Sequence, residues 1–381
     1  MKKVFFILLM VFLFGACQLL HFLSPAAQNQ LLEFADTYTL EQIGQTISNL
    51  YGSETYSIDV DAMGVLHVLV QQNGYEANLY SYKMSALNWE LKSTNSIPNT
   101  MYFPVLDFHG TSPYAAYMPN GNPPVVYDCS TLPGTGFGPA MFYYPNAMDF
   151  IVTSTGKKII AVSSNEGSVI SNYIRVMEYN GATWQSYTGF NSLIFSNYIT
   201  SIDLQESPNG QIFVLVNSDG MNRLFVTAGT AWSGTYIFEM SSKFISYALD
   251  GAGNIYYIYH NQLVTNVVYY DIRNTGAPAI SAHYTKKFID GAVYNSEKTC
   301  AATKNTPYYF YTFAGVLGSS ETNISIMRIS PDGQFKEIFK VSSFMGDMPG
   351  LKMACAPDGT LYFGYAQNTN AMNFLTVYKL D

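Results

Sequence analysis

A chain of 381 residues in which 15% are aromatic and only 12% charged, with 31 Tyr and 25 Phe, is too apolar to stay disordered and suits sheets better than solvated helices. Its formal charge of −8 excludes nucleic acid as an ordinary partner, and anionic lipid headgroups as direct ones. Four cysteines are too few for a disulfide scaffold.

The N-terminus opens on Lys2 and Lys3, runs through an apolar stretch from Val4 to Phe14 and reaches Gly15, Ala16 and Cys17, the layout of an export signal with small residues at its cleavage point. Because a cysteine directly follows the small pair, the segment resembles a bacterial lipoprotein signal. That resemblance implies removal of residues 1–16, lipidation of Cys17 and residence on the periplasmic or cell-surface side of a bacterial membrane. Phe14 departs from the aliphatic residue usual before such a cysteine. Two alternatives stay open: an uncleaved span extended by Leu19, Leu20, Phe22 and Leu23, and an ordinary cut near Ala26. On the lipoprotein reading residues 17–36 form a tether, with a couple of helical turns at most over Gln28 to Ala35, and residues 37–381 form one folded domain.

From Tyr56 onward a unit recurs seven times: an alternating strand, a tight turn and a second, strongly apolar strand. The copies include YSIDVDAMGVLHVLV from Tyr56, SIDLQESPNGQIFVLV from Ser201 and KMACAPDGTLYFGYA from Lys352. Their turn residues are Gly64, Gly110, Gly156, Gly210, Gly253, Asn305 and Gly359, the types that tolerate positive φ. Each copy is followed by a further strand pair, with Tyr82, Tyr127, Tyr179, Tyr269 and Tyr378 at like places in the third strand. Four strands per unit, at a spacing of about 43 to 54 residues, predict an all-β seven-bladed β-propeller of four-stranded antiparallel blades. The last unit has only three strands before Asp381. The segment from Thr37 is therefore expected to supply its fourth strand and close the array. Six blades plus an insertion is the alternative, because Asn305 replaces glycine in the sixth copy.

The segments APDGTLYFGYA from Ala356 and LDGAGNIYYIY from Leu249 resemble repeats of the bacterial NHL and YVTN propeller groups. The resemblance implies the fold and leaves function open, since propellers serve as binders, scaffolds and enzymes alike. A sialidase-like site would need clustered arginines, and Arg175, Arg223, Arg273 and Arg328 fall singly in different repeats, while His67, His109, His260 and His283 are scattered along the chain. Met345, Met348 and Met353 suit loop packing better than Cu(I) binding.

Asp59, Asp107, Asp149 and Asp203 lie in the innermost strands of the first four units. They are candidate ligands for Ca²⁺ in a central channel, or acceptors for backbone amides near the strand ends. Tyr114, Tyr143, Tyr144, Trp184 and Trp232 are candidate contacts for a sugar or a protein, although the recurrence of the two tryptophans speaks for packing between blades. Cys300 and Cys355 open corresponding repeats and are either a disulfide or two packed thiols. The expectation is a monomeric cell-envelope lipoprotein acting as a non-catalytic binding or scaffolding module for protein or glycan, with no resident cofactor. The rival is a hydrolase or lyase with its site in the central funnel.

Overall fold

The computed structural model divides into two units, Met1–Thr39 and Leu40–Asp381. The first, including Cys17 and the tether, lies outside the described residues. These are 40–380 apart from 53–54, 75, 97–99, 120–122, 131–134, 140–145, 166–171, 188–193, 196–197, 219–220, 229–230, 242–243, 250–253, 261–266, 275–276, 288–291, 297–299, 302–308, 318–320, 330–334, 345–349 and 369–372.

The second unit is all-β. Among the described residues its strands form six antiparallel sheets, none closed into a barrel, and the helical content is the 3-10 turn Met84–Ala86. Five sheets each take up one stretch of chain in up-and-down order, and their first strands are Met101–His109, Met148–Val152, Ile199–Glu206, Phe244–Leu249 and, in the fifth, the two segments Ala292–Ser296 and Cys300–Ala301. The sixth joins the two ends of the unit. It runs Gly350–Cys355, Leu361–Asn368, Asn373–Leu380 and Leu40–Leu50, and a single pair, Leu50 with Gln72, connects it to Tyr56–Val60, Leu66–Gln72, Glu76–Lys83 and Asn88–Ser96.

Pairing of the N-terminal strand with the last strand extends from Leu40 opposite Leu380 to Leu50 opposite Asn373. The register shifts between Ile43 and Ile47, where Gly44 adopts a φ of 65°. This is a bulge that only a residue without a Cβ takes easily.

The turn glycines behave as their chemistry requires. Gly64, Gly110, Gly156, Gly210 and Gly359 all have positive φ, while Gly253 and Asn305 lie outside the described residues. Asp61 N donates to Val65 O and Gly64 N to Asp61 O; Thr153, Ser207 and Ala356 repeat the same pair of bonds in their turns. The result is a three-residue hairpin loop with glycine at its left-handed position. In the repeat around Thr299 the first described strand begins earlier than the sequence pattern suggests, at Ala292, and Cys300–Ala301 pairs with the same neighbour, Tyr309–Leu317.

Second strands such as KIIAVSSN and IFVLVNS read as nearly continuous apolar runs because both faces are covered. Ile159 and Ala161 join Ile202, Leu204, Val214 and Val216 in one core, whereas Ile160 and Val162 join Ala116, Val126 and Phe150 in another. Phe213 and Leu215 in turn pack with Tyr247, Ile255 and Tyr257. Hydrophobic cores therefore sit between the faces of successive sheets. The first strands neighbour one another in chain order, and Gly350–Cys355 lies beside Tyr56–Val60.

Candidate functional site

Where these first strands meet there is a cavity of about 330 Å³, lined by side chains from the strands at 56–60, 101–109, 148–152, 199–206 and 350–355. Asp59, Asp107 and Asp149 line it together with Lys352, while Asp203 is not among its lining residues. Apolar groups, among them Ile58, Val105, Phe150 and Ile151, make up much of the rest.

Of the four aspartates singled out from sequence, three line the cavity and Asp203 does not, and the bonds of Asp107 and Asp149 reach beyond the local amides expected of them. Asp107 accepts from Phe108 N at 2.7 Å with one oxygen and, with the other, from Val152 N in the next sheet at 2.6 Å. Asp149, 1% exposed, accepts from Leu204 N of the sheet beyond at 2.7 Å. Neighbouring first strands use other polar side chains in the same way. Ser57 Oγ accepts from Leu106 N at 3.2 Å, and Gln205 bridges to Leu249 N and Tyr247 O. Asp59 accepts from the adjacent Val60 N, and Asp203 offers its backbone carbonyl to the Tyr247 hydroxyl. Among the described residues the first strands have ladder partners on one side only, and polar side chains of the adjoining strand satisfy amides on the other. Among the described residues no three His, Cys, Asp or Glu side chains are placed to hold a metal ion.

The two ends of the cavity differ. At one end the turns gather: Ala62 N donates to Gly110 O at 3.0 Å, Ser154 N donates to Glu206 at 2.6 Å, and a Cβ on Gly156 would lie 3.0 Å from the His109 ring. At the opposite end the first strands begin, with Tyr102 and Phe103 on Met101–His109 and Tyr198 directly before Ile199, at exposures of 44%, 40% and 54%, while Tyr51, also exposed, lies against the Gly74 turn. Phe103 belongs to the cavity wall. Its φ is 50°, it precedes Pro104, and it sits in the register break between Tyr102 and Val105. A bulky residue at positive φ before proline is a genuine outlier, and bulges of this kind re-aim side chains.

The aromatic residues singled out from sequence are mostly packing groups. Trp184 donates its indole N–H to Phe137 O and lies beside Tyr179 and Phe137, and Tyr114 is buried under Lys158. Trp89 repeats the arrangement, donating to Gln45 O at 2.8 Å and covering Gly44. Tyr143, Tyr144, Met345 and Met348 lie outside the described residues, as do the side chains of Trp232, His260, Arg328 and Cys300. Met353 lines the cavity. Arg175 contacts Tyr173, Arg223 pairs with Glu239, and Arg273 lies over Tyr257, each within its own sheet. The strand Cys300–Ala301 neighbours Gly350–Cys355, which Cys355 ends. Cys129 is buried, and burial pushes its thiol up to about 12.

Two histidine–carboxylate pairs escaped sequence reasoning. Asp61 caps its turn by accepting from Met63 N and Val65 N, each at 2.9 Å, and its other oxygen lies 3.2 Å from His67 Nε2. Burial lowers the His67 pKa against the opposing pull of Asp61. The neutral ring therefore donates from Nε2, while Nδ1 has no hydrogen-bond partner among the described residues. The second pair joins His283 to Asp271, a fully buried carboxylate that also accepts from the Tyr259 hydroxyl. Asp271 and His283 face each other across adjacent strands. The aspartate of the first pair had a legible signal in its DxxG turn; nothing local marked the second.

No protein-family model matches the chain, and no curated protein does. Among solved structures it is similar to a protein of unknown function from Dyadobacter fermentans, with a TM-score of 0.48 and 11% identity, over 90% of this chain and 99% of that one.

Proposed function

We propose that the chain is an exported lipoprotein, anchored through Cys17, whose folded part is a seven-bladed β-propeller acting as a non-catalytic binding or scaffolding module for a protein or glycan of the bacterial cell envelope. The propeller reading is supported by the order of first-strand neighbours, which returns from Gly350–Cys355 to Tyr56–Val60. It is also supported by the pairing of Leu40–Leu50 with Asn373–Leu380, which gives the last unit its fourth strand.

The observation that carries the binding reading is the exposure of Tyr102, Phe103 and Tyr198 where the first strands begin, Phe103 belonging to the cavity wall. Surface aromatics on one rim favour a recognition face. Within the cavity Asp107 and Asp149 already hold backbone amides of the next sheet, a framework role that favours binding over proton transfer.

The test places a photo-cross-linking amino acid at Tyr102 or Tyr198 in cells, with Met63, at the turn end, as control. Cross-links to one envelope component from the first two positions and not from Met63 are expected. Equal yields from both ends, or none, would remove the assignment of that face. Metabolic labelling with a fatty-acid analogue tests the anchor separately. Wild type should take up label and Cys17→Ala should not.

A further inference from the structure

We propose that the cavity takes a neutral saccharide, with Phe103 as the stacking surface at its mouth and Asp59 and Lys352 as the polar groups that orient the sugar hydroxyls. The inference rests on the binding-module reading and names its ligand class.

Size sets the first limit. A volume of about 330 Å³ lies at the lower end of small-ligand pockets, enough for one or two sugar rings and too small for a helix or a strand pair of a protein partner.

Charge sets the second. Three carboxylates line the cavity against the one ammonium of Lys352 among its described lining residues, so the local potential repels phosphates and carboxylates. Carboxylate oxygens accept only, and an ammonium donates only. A ligand that meets Asp59 and Lys352 in one small space must both donate and accept. Hydroxyl groups do both, whereas a purely cationic ligand is matched to the aspartates and opposed by the lysine.

The third limit is the wall. The partly buried Val105 and Ile151 supply apolar surface, and Phe103 adds an aromatic ring that is 40% exposed and part of the lining. The C–H face of a pyranose stacks on such a ring while its rim hydroxyls turn to polar groups. Glycine would satisfy the positive φ at position 103 without strain, yet the position carries phenylalanine.

The test uses the full chain, purified in detergent, and four neutral probes: maltotriose, cellotriose, chitotriose and mannotriose. Glucose 6-phosphate and choline serve as anionic and cationic controls. Saturation-transfer NMR detects binding and titration measures it. At least one trisaccharide should bind, and Phe103→Gly and Asp59→Asn should each weaken it tenfold or more. The thermal midpoint of Phe103→Gly should match or exceed wild type, which separates a lost ligand contact from a lost fold. Binding by none of the four, binding unchanged in both variants, or binding of a charged control alone would overturn the proposal. If the saccharides fail while Tyr102 still cross-links an envelope component, the binding module stands without its sugar; if both fail, the module reading falls too.

Discussion

The Tyr56 hydroxyl donates to the Gly364 carbonyl at 2.6 Å across 308 residues of chain, and both residues are buried. This bond ties the first strand of the 56–96 group to the second strand of the 350–380 group. Tyr247 makes the corresponding bond to Phe213 O between two other sheets. A tyrosine on a first strand that reaches the second strand of the preceding group is thus a repeated fastening, and at Tyr56 it joins the two ends of the domain.

Gly364 is the partner that makes this fastening fit. A Cβ there would lie 2.9 Å from Tyr56 Cε2 and 3.2 Å from Leu375 Cδ1. Gly364→Ala should destabilise the domain by about 1–3 kcal/mol, the usual cost of overpacking. Tyr56→Phe, which removes only the hydroxyl, should cost about 0.5–1.5 kcal/mol. Urea unfolding of both single variants and the double variant checks the pair. The double variant should lose less than the sum of the two, because each change disturbs the same contact.

Asp149 should behave as a framework residue. Asp149→Ala leaves Leu204 N without its acceptor and is expected to cost about 1–3 kcal/mol, whereas Asp149→Asn keeps an acceptor oxygen and should retain most of the stability. Hydrogen exchange at Leu204 reads this directly, with faster exchange in the alanine variant than in the asparagine one. Equal, slow exchange in both would remove Asp149 from the seam.

His67 gives the domain a pH dependence of known sign. Burial holds its folded-state pKa below the ordinary 6.5, so in acid the unfolded chain binds this proton before the folded one does. The contribution is complete above pH 6.5 and is lost as the pH falls below it, with a slope of at most ~1.4 kcal/mol per pH unit. Unfolding free energies of wild type and His67→Gln between pH 7.5 and 5 should diverge in that direction. Parallel curves would show that His67 titrates alike in both states.

Cys129 should be chemically silent. With its thiol raised to about 12 by burial, almost no thiolate is present at pH 8. Iodoacetamide followed by peptide mapping should leave Cys129 unmodified in the native protein and modify it in urea.

The repeated turns were legible because their chemistry is local: Asp61 with Gly64, and Pro357, Asp358 and Gly359, announce a turn wherever they occur. Pairing of the segment after Thr37 with the last strand was legible by counting strands. The links between sheets were not, since Asp107 with Val152 and Asp149 with Leu204 span 45 and 55 residues. No periodicity marks which aspartate will meet which amide. The recurrence of Trp184 and Trp232 spoke for packing; Trp184 makes a bond to a backbone carbonyl beyond its own strand hairpin, and Trp89, not singled out from sequence, makes the same kind of bond. Phe103 looked like an ordinary strand residue, and only the register break before Pro104 sets it apart.

The proposed closure of the propeller is tested most directly by a disulfide between the two ends of the domain. Glu41 and Lys379 are register partners on Leu40–Leu50 and Asn373–Leu380, and antiparallel partners lie close enough for a disulfide bond. Oxidation of the Glu41→Cys, Lys379→Cys double variant should give an intramolecular cross-link with faster mobility on a non-reducing gel and a higher unfolding midpoint, absent from either single variant. A monomer that fails to cross-link, or one that cross-links only between molecules, would contradict the closure.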